Sequence, residues 1–223
     1  MKSARPAYAT LSCVLAIAAA APAGATVITM DSLYAPATTW AGTFTDSASY
    51  VSAWNTVSAG QPTPDAGYGD QVITDWDGTQ SNAVFGADTN IAFHDQVVFT
   101  ATETGTYDFR FGIDFGLGGT LLLNGTSLAT NTNNMWWNNS YSDPSQFLAG
   151  SAVLTAGQTY TIDLYGFEDC CDGGTQGQFL APDASGYQNF SAVPEPFAWA
   201  LMLTGFAGIG AALRGSRRRL AVG

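Results

Sequence analysis

The sequence predicts an all-β protein built on a single antiparallel β-sandwich of the jelly-roll kind, with an apolar segment near each end of the chain. Residues 105–113 carry the clearest signal, because apolar and polar side chains alternate there with a period of two. Asn124-Gly125 stands between two short apolar stretches, and this dipeptide is the strongest short-range cue for a hairpin turn. Turn residues recur across residues 26–193 without a sustained helical repeat, which favours a sandwich.

The remaining elements are expected in chain order around these two signals. Residues 26–90 predict short strands and long loops, with a helical turn near Ser47–Asn55. The segments 152–154 and 159–165 flank Gly157-Gln158 and predict a second strand pair. Strands are expected at residues 91–93, 97–101, 105–113, 120–123, 126–129, 152–154, 159–165, 179–180 and 187–190.

Charge is unevenly distributed along the chain. The whole sequence has a formal net charge of −11 at pH 7, yet residues 26–193 hold −16, because Arg110 is their only basic residue. A surface this acidic excludes electrostatic binding to nucleic acid or to an anionic membrane. Residues 26–192 are long enough for one hydrophobic core, so we expect a single acidic ectodomain there.

The first 25 residues have the three parts of a secretory signal peptide. Lys2 and Arg5 are basic, residues 11–20 are apolar, and Ala23-Gly24-Ala25 supplies the small residues of a cleavage site. We therefore expect residues 1–25 to be removed and the ectodomain to be exported.

A second apolar segment, residues 197–213, carries no charge. As a helix it would span about 25 Å, the short limit for a bilayer. Arg214 and Arg217-Arg218-Arg219 follow it, and such a basic cluster stays on the cytoplasmic side of the membrane. The sequence thus predicts one transmembrane helix at 197–213, with the ectodomain outside.

The tail as a whole resembles the PEP-CTERM sorting signal of Gram-negative bacteria over residues 193–219. Pro194-Glu195-Pro196 comes first, Trp199 follows within the apolar segment, and the arginine cluster comes last, in the order of that family. The resemblance implies export across the inner membrane and recognition of Pro194, Glu195 and Pro196 by an exosortase-type sorting protease. It also implies a cell-surface or extracellular-matrix location associated with exopolysaccharide and biofilm.

Residues 97–170 resemble the PA14-type and fibro-slime-type β-sandwiches. A strand runs into Asp114, the Asn124-Gly125 hairpin follows, and a later strand ends at Glu168, in the order of that group. Its sugar-binding members hold a calcium ion with two adjacent aspartates. Asp114 occupies the matching region here, but Phe115 follows it, so the second aspartate is missing.

Cys170 and Cys171 are adjacent and are the only cysteines of residues 26–192. In an oxidising compartment a vicinal disulfide is the favoured state, with Gly173 and Gly174 making room for the turn. Thiolate ligation of a metal and intermolecular cross-links are the alternatives. The stretch also resembles a PEP-CTERM subgroup that is marked by a Cys-Cys-x-Gly motif.

Clustered carboxylates are candidate metal ligands in so acidic a chain. Carboxylates close in space raise one another's pKa or recruit cations, and calcium takes oxygen ligands of this kind. The alternative is a solvated acidic surface without a bound ion. The candidate calcium ligands are Asp114, Glu168, Asp169 and Asp172.

Trp136 and Trp137 stand side by side in an Asn-rich loop. Their indoles would stack on sugar rings while the neighbouring amides bond sugar hydroxyls, which predicts a glycan-binding loop. The alternative is that one tryptophan plugs the end of the sandwich.

These features predict an exported, non-enzymatic protein of the cell surface or extracellular matrix that binds calcium or polysaccharide. The alternative is a secreted carbohydrate-active hydrolase with paired carboxylates, for which Glu103 or Glu168 would supply one partner. His94 is the only histidine and lacks an accompanying nucleophile motif, so we expect it to be structural. No residue is predicted to be catalytic.

Overall fold

The computed structural model describes residues 26–192, which form two antiparallel β-sheets with a shared core and one long helix on the outside. The predicted signal peptide, the Pro-Glu-Pro motif and the predicted transmembrane helix lie outside the described residues. Along residues 26–192 no helix has the length and apolar character needed to cross a membrane. The strands are β1 Val27–Tyr34, β2 Gly69–Ile73, β3 Asp77–Thr79, β4 Thr89–Thr100, β5 Gly105–Gly112, β6 Asp114–Phe115, β7 Gly119–Leu123, β8 Thr126–Asn131, β9 Met135–Trp136, β10 Phe147–Leu154, β11 Thr159–Cys170, β12 Thr175–Leu180 and β13 Gln188–Asn189. The helices are α1 Ala37–Trp40, α2 Ser47–Gly60 and α3 Ser81–Val84, with a 3₁₀ turn at Pro144–Gln146.

The strands divide into a large sheet, a small sheet and a separate two-stranded ladder. The large sheet has the order β2-β1-β4-β11-β7-β8. The small sheet has the order β10-β5-β12-β13, and β3 also pairs with β12. β6 and β9 form the ladder, and β6 comes next after β5 in the chain.

The core lies between the inner faces of the two sheets. The predicted alternation in β5 is confirmed, because Tyr107, Phe109 and Phe111 are each at most 2% exposed. They pack against apolar residues of β4 and β11 from the large sheet. One carboxylate shares this interior: Asp95 of β4 is 1% exposed, and neither of its oxygens has a partner among the described residues. Burial raises the pKa of Asp95 well above its ordinary value.

The predicted pairing of 152–154 with 159–165 is wrong, although both segments are strands. β10 pairs with β5 in the small sheet, whereas β11 lies between β4 and β7 in the large one. The intervening turn binds another part of the chain: Gly157 N donates to Ala101 O over 2.8 Å, and Ala101 N donates to Gln158 O over 3.0 Å. The turn therefore carries the chain from one sheet to the other.

The predicted helical turn near Ser47–Asn55 is a full helix, α2, of 14 residues. The Asp46 side chain caps its first turn by accepting from Ser49 N over 2.9 Å. Its buried side chains recur at the spacing of one helix face and pack on the outer face of the large sheet. These side chains are Tyr50, Ala53, Trp54 and Val57.

Candidate functional site

The two-stranded ladder brings two of the predicted site residues side by side. Asp114 of β6 is the direct partner of Trp136 of β9, and Phe115 is the partner of Met135. Phe115 and Met135 are fully buried, whereas Trp136 is 60% exposed. Since cross-strand partners share a face, the Asp114 carboxyl group and the Trp136 indole face the same side of the ladder.

Trp137 does not share the exposure of its neighbour. It is 4% exposed, and its ring lies so close to the backbone of Gly112 that a side chain there would overlap it. Its ring also packs against Tyr141, with 5.2 Å between ring centroids. The prediction that both indoles stack on sugars is therefore corrected, because adjacent residues of an extended segment point to opposite sides. Trp137 is buried beneath the loop, and only Trp136 is exposed.

A shallow depression of about 360 Å³ lies beside Trp136. Asn138 and Asn139 shape its loop by adopting left-handed backbone conformations, with φ of 49° and 55°, which asparagine tolerates better than most residues. Gln146 fixes the other side of the loop, because its Oε1 accepts from Trp136 N over 2.6 Å. The depression is lined by Trp136, Trp137, Asn138, Ser140, Ser142, Asp143 and Gln146.

Glu168 ends the buried part of β11 next to this ladder. Its Oε2 accepts from Gly116 N, and its Oε1 accepts from Cys170 N over 2.8 Å. Burial raises the pKa of Glu168 to about 8, although these N–H donors act in the opposite direction. The carboxyl group is 1% exposed and bonded to backbone at both oxygens, so it fixes the turn after β11.

Asp172 and Asp114 both lie at the turn that follows β11. Asp172 is 6% exposed, and its Oδ2 accepts from Asn82 N over 3.0 Å, while its Oδ1 has no partner among the described residues. Asp114 lies against Gly173, where a Cβ atom would stand 2.4 Å from Asp114 Oδ2. Burial and then the nearby Asp172 carboxylate raise the pKa of Asp114 to about 6. Burial also raises the pKa of Asp172.

Cys170 and Cys171 lie on the exposed part of this turn and are joined by a disulfide, with a cis peptide bond between them. Asp169 is exposed beside them, and its Oδ1 accepts from Cys170 N over 2.8 Å. The turn and the ladder therefore gather the predicted residues at one end of the sandwich. Within residues 26–192, however, no three acidic, histidine or cysteine side chains converge as they would around a metal ion.

His94 lies elsewhere, on the outer face of the large sheet. Its Nε2 is 2.9 Å from Asp163 Oδ1, and its ring stacks on Tyr165 with 4.3 Å between centroids. Trp54 of α2 covers it at 5.4 Å. A larger groove of about 960 Å³ beside α2 is lined by Asp163 and Tyr165 among mostly small side chains. It contains none of the predicted site residues.

No family model and no curated protein matches this chain. Among solved structures, it is similar to the A domain of epithelial adhesin 9 (Epa9A) from Candida glabrata, solved in complex with Galβ1-3GlcNAc and with Galβ1-4GlcNAc. Each likeness has a TM-score of 0.50 and 11% identity, and covers 76% of this chain and 92% of that one. It is also similar to the PA14 sugar-binding domain of an RTX adhesin, with a TM-score of 0.48, 13% identity, and 76% and 98% of the two chains covered. The likeness to the Epa9A domain shows that the described residues share the β-sandwich fold of that domain.

Proposed function

We propose that residues 26–192 form a glycan-binding ectodomain that holds a sugar at the end of the sandwich marked by Trp136. The observation that carries this proposal is the exposed Trp136 indole directly opposite the Asp114 carboxyl group. An indole face takes the apolar face of a sugar ring, and a carboxylate accepts from its hydroxyls.

The rim of the depression adds the other groups that a sugar requires. Asn138, Ser140, Ser142 and Gln146 supply amides and hydroxyls around the indole. The adhesin domain with a similar fold holds a galactose-containing disaccharide. Those two disaccharides are therefore the first ligands to test.

We propose a non-enzymatic role rather than glycoside hydrolysis. A hydrolase needs two carboxyl groups that reach the substrate from either side of the scissile bond. Glu168 has the raised pKa of a general acid, but both its oxygens accept from backbone N–H groups, and it is 1% exposed. It is positioned to hold the turn and not to protonate a sugar.

We further propose that the tail delivers this ectodomain to the cell surface or extracellular matrix. Residues 1–25 would direct export, residues 197–213 would anchor the precursor in the inner membrane, and Pro194-Glu195-Pro196 would be read by an exosortase-type protease. Its two prolines would favour an extended backbone, which suits capture in a protease groove. The outcome is a protein of the biofilm or exopolysaccharide layer.

A glycan array with the full chain tests the binding proposal. We expect Trp136→Ala to abolish the signal, because the stacking surface is removed. Val153→Ala is the matched control. Val153 is 76% exposed and lies on β10 of the small sheet, not in the β6–β9 ladder that carries Trp136. Absence of binding by the wild type, or equal binding by the Trp136→Ala variant, would refute the proposal.

The sorting proposal is tested by the mass of the mature protein in a host with and without the sorting protease. We expect a product that ends near the Pro-Glu-Pro motif only when the protease is present. Glu195→Gln should leave the precursor uncleaved, whereas Glu103→Gln in the ectodomain should not. Identical masses in the two hosts would contradict the assignment of the tail.

A further inference from the structure

The side chain of Arg110 is clamped between two tyrosine rings on the outer face of the small sheet. Its guanidinium carbon lies 3.9 Å from the centroid of Tyr141 and 3.7 Å from the centroid of Tyr187. Arg110 Nε donates to Gln178 Oε1 over 2.7 Å. Stacking on both faces and one in-plane hydrogen bond fix the plane of the guanidinium group.

The parts of this clamp are themselves held in place. The Tyr141 hydroxyl donates to Gln176 O over 3.1 Å and accepts from Gly112 N over 3.2 Å. Gln178 Nε2 donates to Asn189 Oδ1 over 2.7 Å. Arg110 is thus oriented before any ligand arrives, which lowers the entropy cost of binding one.

No carboxylate neutralises this arginine within residues 26–192, where the one ion pair joins His94 and Asp163. The cross-strand partner of Arg110 in β10 is Ala149, which is small and exposed. Asp108 shares its face of β5, but Asp108 Oδ1 accepts from Ser151 Oγ instead. Arg110 is the only lysine or arginine among residues 26–193, which hold seventeen acidic residues, and it nevertheless has no carboxylate partner among the described residues.

The guanidinium group donates one hydrogen bond to the described residues, and it does so through Nε. The terminal nitrogens Nη1 and Nη2 therefore have no hydrogen-bond partner among those residues. They form the edge of the guanidinium fork that binds a carboxylate through two parallel hydrogen bonds. We propose that the Arg110 clamp, formed by Arg110, Tyr141, Tyr187 and Gln178, is a subsite for the carboxylate of a single uronic acid residue.

A sugar carboxylate fits this position because the clamp shares a loop with Trp136. The Tyr141 ring contacts Trp137 on that loop, and Arg110 precedes Asp114 by four residues, roughly 13 Å of extended chain. One acidic residue in an otherwise neutral glycan is favoured over a polyanionic chain, since the net charge of −16 repels repeated negative charges. The inference rests on the proposed glycan-binding function and adds a second contact point to it.

The test measures binding of D-glucuronate, D-glucose and acetate to the full chain by isothermal titration calorimetry. We expect glucuronate to bind and acetate to bind about tenfold more weakly. Glucose has no carboxylate, so it should show no binding that depends on Arg110. Ala149→Glu places a carboxylate opposite Arg110 while leaving the clamp intact, so it should weaken glucuronate binding about tenfold or more. Val153→Glu adds the same charge to the same face of β10, four residues away, and should leave binding within about twofold.

Arg110→Lys is the second variant, and it should also lose glucuronate, because an ammonium group keeps the charge but not the fork. Glucuronate binding that survives both Ala149→Glu and Arg110→Lys overturns the proposal, as does the absence of glucuronate binding to the wild type. Acetate binding as tight as glucuronate binding overturns the assignment to a sugar. If glucuronate binding depends on Arg110 while Trp136→Ala leaves the binding of neutral glycans unchanged, the clamp is supported. The same result refutes only the proposed Trp136 site.

Discussion

The indole N–H of Trp76 donates a hydrogen bond to the hydroxyl of Thr175, 2.8 Å away and 99 residues later in the chain. Both residues are at most 1% exposed. The Thr175 hydroxyl in turn donates to Thr79 O over 3.0 Å. This buried chain of hydrogen bonds joins the β2–β3 region to β12 of the small sheet.

Replacing Thr175 by valine keeps the shape of the side chain and removes both bonds. The Trp76 N–H is then buried without a partner, so we expect the free energy of unfolding to fall by about 1–3 kcal/mol. Urea denaturation measures the change. Thr159→Val is the control, since Thr159 is exposed and should change stability by less than about 0.5 kcal/mol. Equal losses in the two variants would contradict the role given to Thr175.

Gly166 of β11 lies directly beneath the ring of Phe115. Phe115 is the buried residue of β6, the strand that pairs with β9 and its exposed Trp136. A Cβ atom at Gly166 would stand 1.9 Å from that ring. We expect Gly166→Ala to lower the free energy of unfolding by about 1–3 kcal/mol through overpacking. Gly60→Ala is the matched control, because nothing lies within 4 Å of its added methyl group. Thermal unfolding of both variants compares them, and a stable Gly166→Ala protein would refute this packing.

Stability should fall as the pH rises from about 5 to about 8. Burial raises the pKa of Glu168 to about 8 from an ordinary value of 4.5, so in this window the folded protein holds a proton that the unfolded chain has released. Asp114, with a pKa of about 6, adds to the effect at the acidic end. Urea denaturation at several pH values measures the slope. Glu168→Gln should remove much of it, and parallel slopes in wild type and variant would show that Glu168 is not the cause.

Calcium binding stays a prediction for this end of the sandwich. Asp114, Asp169 and Asp172 remain the candidate ligands, because only Glu168 has both carboxylate oxygens accepting from backbone N–H groups. If calcium binds there, millimolar calcium raises the melting temperature by mass action, and Asp114→Asn cancels the rise. Magnesium, which prefers a tighter octahedral shell, serves as the control ion. An unchanged melting temperature in the wild type removes calcium from the site.

The local features of the fold could be predicted from sequence, and the long-range pairings could not. The alternation in β5 and the Asn124-Gly125 turn depend on neighbours in the chain. The helix α2 also had a local signal in the spacing of Tyr50, Trp54 and Val57, but serine, threonine and glycine around it obscured that pattern. The separation of β10 from β11 depends on contacts of the turn with Ala101, which no local pattern reports.

The candidate site shows the same limit at the scale of single residues. The Trp136-Trp137 pair was visible in the sequence, but which indole is exposed depends on the pairing of β9 with β6. The carboxylates at the end of β11 were visible too. The burial of Glu168 was not, because it depends in part on Gly116, which lies 52 residues earlier in the chain. Arg110 stood out by charge alone, and its two tyrosine partners came from separate loops.

The position of Arg110 has a consequence for the resistance of the protein to proteolysis. A trypsin-like protease cleaves after lysine or arginine, and residues 26–193 offer it only the bond after Arg110. That bond lies within β5, hydrogen-bonded to β10 on one side and β12 on the other, so cleavage requires the middle of the small sheet to open first. Folded residues 26–192 would therefore resist enzymes of this class, and their lifetime would be set by how often the small sheet opens and how fast it recloses relative to cleavage.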